Sequence, residues 1–503
     1  MSHYLPSPKG IAVAQPRINR LWVLYGVAIG MLFLVATFLP KRFFLAFFMG
    51  FLVLPVSLIA KDRKKFFLTI LVLAMPLGVS KTFDFSPSAA FRSAFGFTIY
   101  LIYLPLLALY VIWIFRRCFG KQPMPISTTG LLSFAGLFCT VLISTIFISE
   151  PDASTMYAIF AIFDLTWSGL IFIYFSSEIR EIKELRLITA LLITIGVGEA
   201  LMAIGQNLTG TFLGLEFLGA RKPIVGYLGL LTLSRVTGTM GHPAALAEFF
   251  DLIIPVSFAM IFYPMARRYQ LLVGLCVIIE FIGTGMSYSR GGIFWTIMAS
   301  GAILLFNFCR RQGLVRGLFT TFALGVLTTI LLLVIPNPLQ KGLLRTEPGT
   351  ALGRLPLMQV AYNMIGHHPW LGVGLNNYVP VAQKYDFTAE QLTTGWNSAV
   401  HNVYLFIAGE IGLIGLFFLL MLVATVFWRL LPALRSTEPL IACVGLGILA
   451  ALVGHLFHWL TDLSTWTSHR LFWFELGLAV AIGHIAARKA NENIPQAQAV
   501  TPG

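Results

Sequence analysis

Residues 401–428, HNVYLFIAGEIGLIGLFFLLMLVATVFW, contain one carboxylate, Glu410, and no lysine or arginine. An α-helix needs about 20 mostly apolar residues to cross the roughly 30 Å hydrocarbon core of a bilayer, and this run exceeds that. It reads as a membrane-crossing helix with a His-Asn pair at one mouth. The rest of the chain has the same character: of 503 residues 57% are hydrophobic and only 11% charged, with a mean hydropathy of +0.83. An ordinary soluble domain is excluded, and the fold class expected is all-α and polytopic.

Candidate spans fall near 21–39, 42–60, 66–80, 98–115, 129–148, 155–175, 186–206, 242–262, 270–287, 292–308, 315–335, 401–428, 437–457 and 466–487. This is about 14 transmembrane helices, with a range of 12–14 because the third run is short and the twelfth long. The first run is too long for a signal-peptide core and lacks a small-residue cleavage site after it, so it is expected to be retained. Cytoplasmic loops collect Lys and Arg. Placing the N-terminus inside puts Lys61 to Lys65, Arg116-Arg117, Arg180 to Arg186, Arg267-Arg268, Arg310-Arg311, Arg429 to Arg435 and Arg488-Lys489 on the cytoplasmic side. Both termini are then cytoplasmic. The expected division is a cytoplasmic tail at 1–20, one integral-membrane domain at 21–490 with a large outer loop at 336–400 inside it, and a disordered cytoplasmic tail at 491–503.

The formal charge of +14 is then topology and attraction to anionic lipid, and no nucleic-acid partner is implied. Cys139, Cys276 and Cys443 lie inside runs, and Cys118 and Cys309 lie at cytoplasmic ends. No disulfide or cysteine-metal site follows.

Two outer connections are long, 207–241 and 336–400. Loops of such length are commonly functional. Within the second, Gly353 to Gly366 (GRLPLMQVAYNMIG) has helical apolar spacing and reads as an amphipathic helix on the membrane or over a cavity. HHPWLGVGLNNY, 367–378, follows as turn chemistry with aromatics.

The outer charges are the candidates for chemistry. Arg290, in SYSRGG (287–292), opens a span, where helix N–H groups and a guanidinium together suit phosphate or pyrophosphate; Gly291 and Gly292 allow close backbone approach. The alternative is an arginine snorkelling to headgroups. The same two readings apply to Arg235 and Arg221, whereas Arg354 at the head of the amphipathic helix also reads as a solvated face. His401, followed by Asn402, could take a proton from a hydroxyl near neutral pH, or merely cap its helix. His455 and His458, with Asp462 one turn on, could ligate a metal or make ordinary polar packing, and the latter is preferred. Asp164, Glu199, Glu248, Asp251, Glu280, Glu410 and Glu475 lie in or beside spans, which also suits proton-coupled transport.

Taken in order, RVTGTMGHPAALAEF (235–249), SYSRGG, HHPWLGVGLNNY and HNVYLFIAGEIGLIGL (401–416) resemble the O-antigen ligase and O-antigen polymerase superfamily of bacterial envelope enzymes. His401 and Asn402, nine residues, then Gly412 and Gly415 match the ligase pattern. The resemblance covers roughly 186–430. It implies a helical membrane fold like that of C-type glycosyltransferases, a periplasmic active site, and a glycan on undecaprenyl pyrophosphate as donor. The acceptor would be a glycan, lipid A-core or a protein hydroxyl, with no metal or other cofactor, and a chain-length regulator as a possible partner. Arg290 and Arg235 match the arginines that hold pyrophosphate, and His401 the histidine that activates the acceptor. Arg221, Arg354, Asn402, Gly291 and Gly292 are the further substrate-binding candidates.

Ligases often carry Arg-x-x-x-Leu in an outer loop, but the residues four after Arg221, Arg235, Arg290 and Arg354 are Val225, Thr239, Phe294 and Met358. Fourteen spans also exceed the twelve usual for ligases. Both points weigh against a ligase and favour a polymerase of O-antigen or exopolysaccharide repeats, or a protein-glycosylating relative. From other classes, a secondary transporter would need a midplane site at broken helices with repeat symmetry. A lipid-glycan flippase would need a cationic cavity opening to each side in turn.

Overall fold

The computed structural model describes residues 60–83, 94–120, 126–148, 150–228, 231–320, 354–395 and 399–492. The chain divides into two compact units, Met1–Ala60 and Lys61–Gly503, and the description that follows concerns the second. The expected spans at 21–39 and 42–60, and nearly all of 315–335, lie outside the described residues.

The longer described helices are α1 (Arg63–Leu73), α2 (Tyr103–Phe119), α3 (Leu131–Ile146), α4 (Thr155–Glu178), α5 (Ile182–Thr209), α6 (Pro243–Met260), α7 (Arg267–Met286), α8 (Arg290–Gln312), α9 (Leu355–His367), α10 (Val403–Leu430), α11 (Pro439–His458) and α12 (Arg470–Glu492). Two small antiparallel hairpins complete the fold, β1 (Ser80–Phe83) with β2 (Phe97–Tyr100) and β3 (Ile224–Leu228) with β4 (Leu231–Arg235). The protein is an all-α polytopic membrane protein. Among the described residues eight helices, α4 to α8 and α10 to α12, are long and apolar enough to cross a membrane.

The run at 66–80 is not a span. Its helix, α1, has 11 residues, about 16 Å of rise, which is half a hydrocarbon core. Pro76 forbids its continuation and the chain turns into β1. Hydropathy alone does not register that stop.

Burial separates the spans. The apolar windows of α6 and α12 are each 83% buried, against 22% for α7 and 28% for α8, so α6 and α12 form the centre and α7 and α8 face outward. Glycines set several of the contacts, as expected where helices approach through small residues. A Cβ at Gly447 of α11 would stand 2.8 Å from Val256 Cα of α6, and one at Gly283 of α7 would stand 2.7 Å from Ala200 Cα of α5.

The described part of the long 336–400 connection, residues 354–395, docks on a broken helix. Gly412 has φ 72° and ψ 179° inside α10, a conformation that glycine tolerates and other residues resist. The break releases backbone groups, and the loop takes them: Val373 N–H donates to Gly409 O (2.9 Å), Gly374 N–H to Glu410 O (2.9 Å), and Leu413 N–H to Pro369 O (2.8 Å). Amphipathic α9 buries Leu357, Val360, Ala361 and Met364, one helical stripe, and Met364 reaches Gly409 of α10. The paired asparagines of the loop anchor it further. Asn376 Nδ2 donates to Ala94 O (2.8 Å) and Tyr157 O (2.9 Å), while Asn377 Oδ1 accepts from Ser154 N–H (2.7 Å). Glu150 gathers His368, Lys384 and Tyr385 at 3.0, 2.7 and 2.6 Å. The loop is thus a fixed part of the fold.

A side chain at Gly412 should unseat it. Alanine there would combine an unfavourable φ with a Cβ 2.0 Å from Trp370 O, a cost of about 2 kcal/mol or more. Gly412→Ala is expected to lower the unfolding temperature of the detergent-solubilised protein by several degrees and to expose 367–378 to protease. Unchanged values for both would show that the break is not needed.

Candidate active site

The four arginines and the histidine picked out above all lie at the end of the bundle where α10 begins. His401 is held there through its neighbour. Asn402 caps α10, its Oδ1 accepting from Leu405 N–H (3.0 Å) while its Nδ2 donates to Leu460 O (3.3 Å). Val403 N–H donates to Trp459 O (2.9 Å) and Tyr404 OH to Leu456 O (2.7 Å). The start of α10 is therefore fastened to the turn that follows α11.

That turn carries Asp462. His401 Nδ1 lies 3.7 Å from Asp462 Oδ1, and His458 Nε2 lies 3.4 Å from Oδ2. The first distance is too long for a hydrogen bond, and the buried His401 Nδ1 has no hydrogen-bond partner among the described residues. His458 is oriented from behind by Asp251, Nδ1 to Oδ2 at 2.5 Å, and Asp251 also accepts from Thr296 Oγ1 at 2.7 Å. α6, α8 and α11 thereby fix one imidazole and, through it, Asp462. Burial pushes the Asp462 carboxyl up, but the imidazoles of His401 and His458 and the charge of His458 prevail and hold it well below the usual carboxylate range.

The cations surround this pair. Arg235 ends β4 and its Nε donates to Ser287 O at 3.1 Å, just ahead of Arg290, the first residue of α8. Burial pushes the Arg235 pKa down, Asp462 opposes this, and the charge of Arg290 adds to the push, so both groups are felt at its guanidinium. Gly291 faces His458, whose Nε2 would be 2.9 Å from an added Cβ. Gly292 instead packs on Ala247 of α6, a helix-crossing contact. Arg354 donates from Nη1 to Thr461 O, next to Asp462. Arg221 is more peripheral: exposed, it lies beside Gly241, and its carbonyl accepts from Thr237 Oγ1 at 3.2 Å.

The loop that carries Arg235 is clamped by α5. Gln206 Oε1 accepts from Thr237 N–H (3.0 Å) and Gly238 N–H (2.9 Å), and its Nε2 donates to Gly238 O (3.0 Å). Glu199 accepts from Thr239 N–H (2.9 Å) and Oγ1 (2.5 Å). His242 ends the loop and caps α6, its Nδ1 accepting from Ala244 N–H at 3.2 Å. Burial, and after it the charge of Arg235, push the His242 pKa down.

His242, Thr296 and the roles of Asp251 and Asp462 are not marked in the sequence. His455 and His458 stand three residues apart, but they turn to different carboxylates: His455 Nδ1 lies 3.3 Å from Glu475 Oε2, and His458 contacts Asp251 and Asp462. Among the described residues no group of three His, Cys, Asp or Glu is arranged to hold a metal. The only advance signal for Asp251 was a carboxylate in an apolar run, which is a functional candidate by default.

This end of the bundle holds a histidine backed by a carboxylate, with the charge of Arg235 felt by that carboxylate and Arg354 reaching the residue beside it, a layout suited to accepting a proton beside a polyanion. Residues 275–420 match the family model described as O-Antigen ligase. The stretch that is similar to this family runs from α7 through Arg290, Arg354 and His401 into α10. A search of curated proteins gives no match. Arg235, His242, Asp251, His458 and Asp462 lie outside the matched stretch and complete the cluster from other parts of the chain.

The depressed Asp462 pKa has a consequence for stability. A carboxyl whose folded pKa is depressed contributes stability that is present above its unfolded value, about 3.9, and is lost as pH falls toward the folded value. Asp462→Asn should therefore lower the unfolding temperature most above about pH 5, with the gap from wild type closing below about pH 4. A gap independent of pH between 3 and 7 would contradict the ion-pair assignment.

Proposed function

We propose that the protein transfers a glycan from a lipid-linked pyrophosphate to an acceptor hydroxyl at the outer face of the membrane. The observation that carries this reading is the convergence on Asp462 of His401 on one side and the charge of Arg235, itself coupled to Arg290, on the other. With a proton on Nδ1 facing Asp462, His401 offers Nε2 to the acceptor. The hydroxyl oxygen attacks the anomeric carbon as its proton passes to Nε2, and the bond from that carbon to the pyrophosphate breaks. The departing charge falls to Arg235 and Arg290, with Arg354 and Arg221 available to the rest of the donor. Asp462 stabilises the imidazolium that the helix N-terminus would disfavour. Attack opposite the leaving group inverts the anomeric centre, and the guanidinium groups do the work a metal would otherwise do.

Within this reading the protein is a polymerase of O-antigen or exopolysaccharide repeats in the inner membrane, fed by undecaprenyl pyrophosphate. The missing Arg-x-x-x-Leu element supports that choice, while the argument from span number is weaker once 66–80 is removed. The ligase reading, with lipid A-core or protein as acceptor, is favoured by the description of the matching family. Transport draws support from one feature, the break in α10, but the break is filled by the backbone of residues 369–374.

Glycan analysis in a deletion strain complemented with wild type, His401→Ala or Arg290→Ala separates these readings. Activity should fall by about 10²–10⁴ for His401→Ala and about 10²–10³ for Arg290→Ala. Accumulating single lipid-linked repeats without long chains would identify a polymerase. Long lipid-linked chains that never reach an acceptor would identify a ligase, and unchanged glycans with both variants would exclude the transferase.

A further inference from the structure

The end of the bundle opposite His401 holds a second cationic site. α10 begins two residues after His401 and runs for 28 residues, so Arg429 in its last turn lies about 40 Å away along the helix. There the chain entering α3, the residues after α4 and the last turns of α10 and α12 line a cavity of about 840 Å³. Its lining includes Arg180, Arg429, Arg488 and His484, with Thr128 and Thr129. Arg180 Nε donates to Ser177 O at 2.6 Å, which fixes that side chain. Thr129 Oγ1 lies 3.3 Å from His484 Nε2. The carboxylate in the lining, Glu492, is occupied by Arg488 Nε at 3.0 Å and Lys489 Nζ at 2.7 Å. Arg429 Nε is buried and makes no hydrogen bond among the described residues. The charges of Arg429 and Arg180 both act on His484, so like charges are concentrated here.

We propose that this cavity binds a phosphate-bearing anion, such as the headgroup of an anionic lipid, at the membrane face opposite the candidate active site. Guanidinium groups meet phosphate oxygens in bidentate pairs. A cavity of this size admits a headgroup with its glycerol rather than a bare ion. Ile126 and Ile485 in the lining, and Trp428 beside Arg429 at 79% exposed, suit a ligand with an apolar portion at headgroup depth. The site is independent of the transferase reading, since it shares no residue with it.

Native mass spectrometry of the purified full chain, with phosphatidylglycerol and phosphatidylcholine added separately, tests it. Wild type should retain phosphatidylglycerol about tenfold better than Arg180→Gln/Arg429→Gln, with phosphatidylcholine equal in both. Should phosphatidylglycerol not be retained while millimolar inorganic phosphate raises the unfolding temperature of wild type but not of the variant, the ligand is a soluble phosphate compound and the site stands. Equal retention of phosphatidylglycerol by both proteins, with no phosphate effect, overturns the proposal. If the double variant does not accumulate, a photoactivatable phosphatidylglycerol is used on wild type. Label in 126–131 and 480–492 supports the site, and label confined to other peptides rejects it.

Discussion

Asp462 sits between two imidazoles, 3.7 Å from His401 and 3.4 Å from His458, and this end of the bundle is arranged to keep that carboxylate charged and in place. A carboxylate half-hidden at a membrane surface is costly unless opposite charge or donors surround it. Here the compensation comes from four directions. His458 is fixed through Asp251 and Thr296, the Asp462 Oδ1 accepts from Leu463 N–H at 2.8 Å, His401 is brought up by α10, and Arg235 is held by a loop that α5 clamps. The Leu463 contact is local, but the hold of Asp251 on His458, the approach of His401 and the clamping of the Arg235 loop are tertiary contacts between distant parts of the chain. The site can therefore exist only when α5, α6, α8, α10 and α11 are all docked.

The same cost explains the other intramembrane carboxylates. Glu199 secures the Arg235 loop, Glu280 accepts from Ser257 Oγ (3.1 Å), Glu248 meets His469 (2.8 Å), Glu410 accepts from Trp466 Nε1 (3.4 Å), and Glu475 lies near His455. These are cross-links between spans, each pairing one helix with another helix or with an outer loop. Their partners are mostly hydroxyl, indole, imidazole and backbone groups on neighbouring elements, which gives the bundle specific docking where apolar contact alone would allow sliding.

Much of this was legible in the sequence, and the limits have physical reasons. Arg235, Arg290 and His401 stood out because a charge at the mouth of an apolar run is rare and its depth can be read from the run itself. Asp462 and Asp251 did not, because their role depends on which helix faces which: His458 and Asp251 are 207 residues apart, and hydropathy carries no information on helix rotation. The run at 66–80 was misread because a sum of apolar residues ignores where Pro76 stops the helix. The Asn376-Asn377 pair looked like turn chemistry and is an anchor, a distinction that requires knowing that Ala94, Ser154 and Tyr157 lie opposite. Gly412 could be matched to a pattern without any reason for its being glycine.

That reason joins the loop to the chemistry. With α10 continuous, 369–374 would have no backbone partners in it and the large loop would rest on side chains alone. With the break, three backbone hydrogen bonds tie the loop to 409–413, about ten residues below His401. α9, which precedes this segment, begins at Arg354, and Arg354 reaches Thr461 beside Asp462. One glycine in a membrane helix thus fixes where a loop arginine stands relative to the histidine that starts the same helix. A span that must be interrupted to seat a loop is less stable than an unbroken one, and such a local sacrifice is expected where a site has to be positioned rather than merely enclosed.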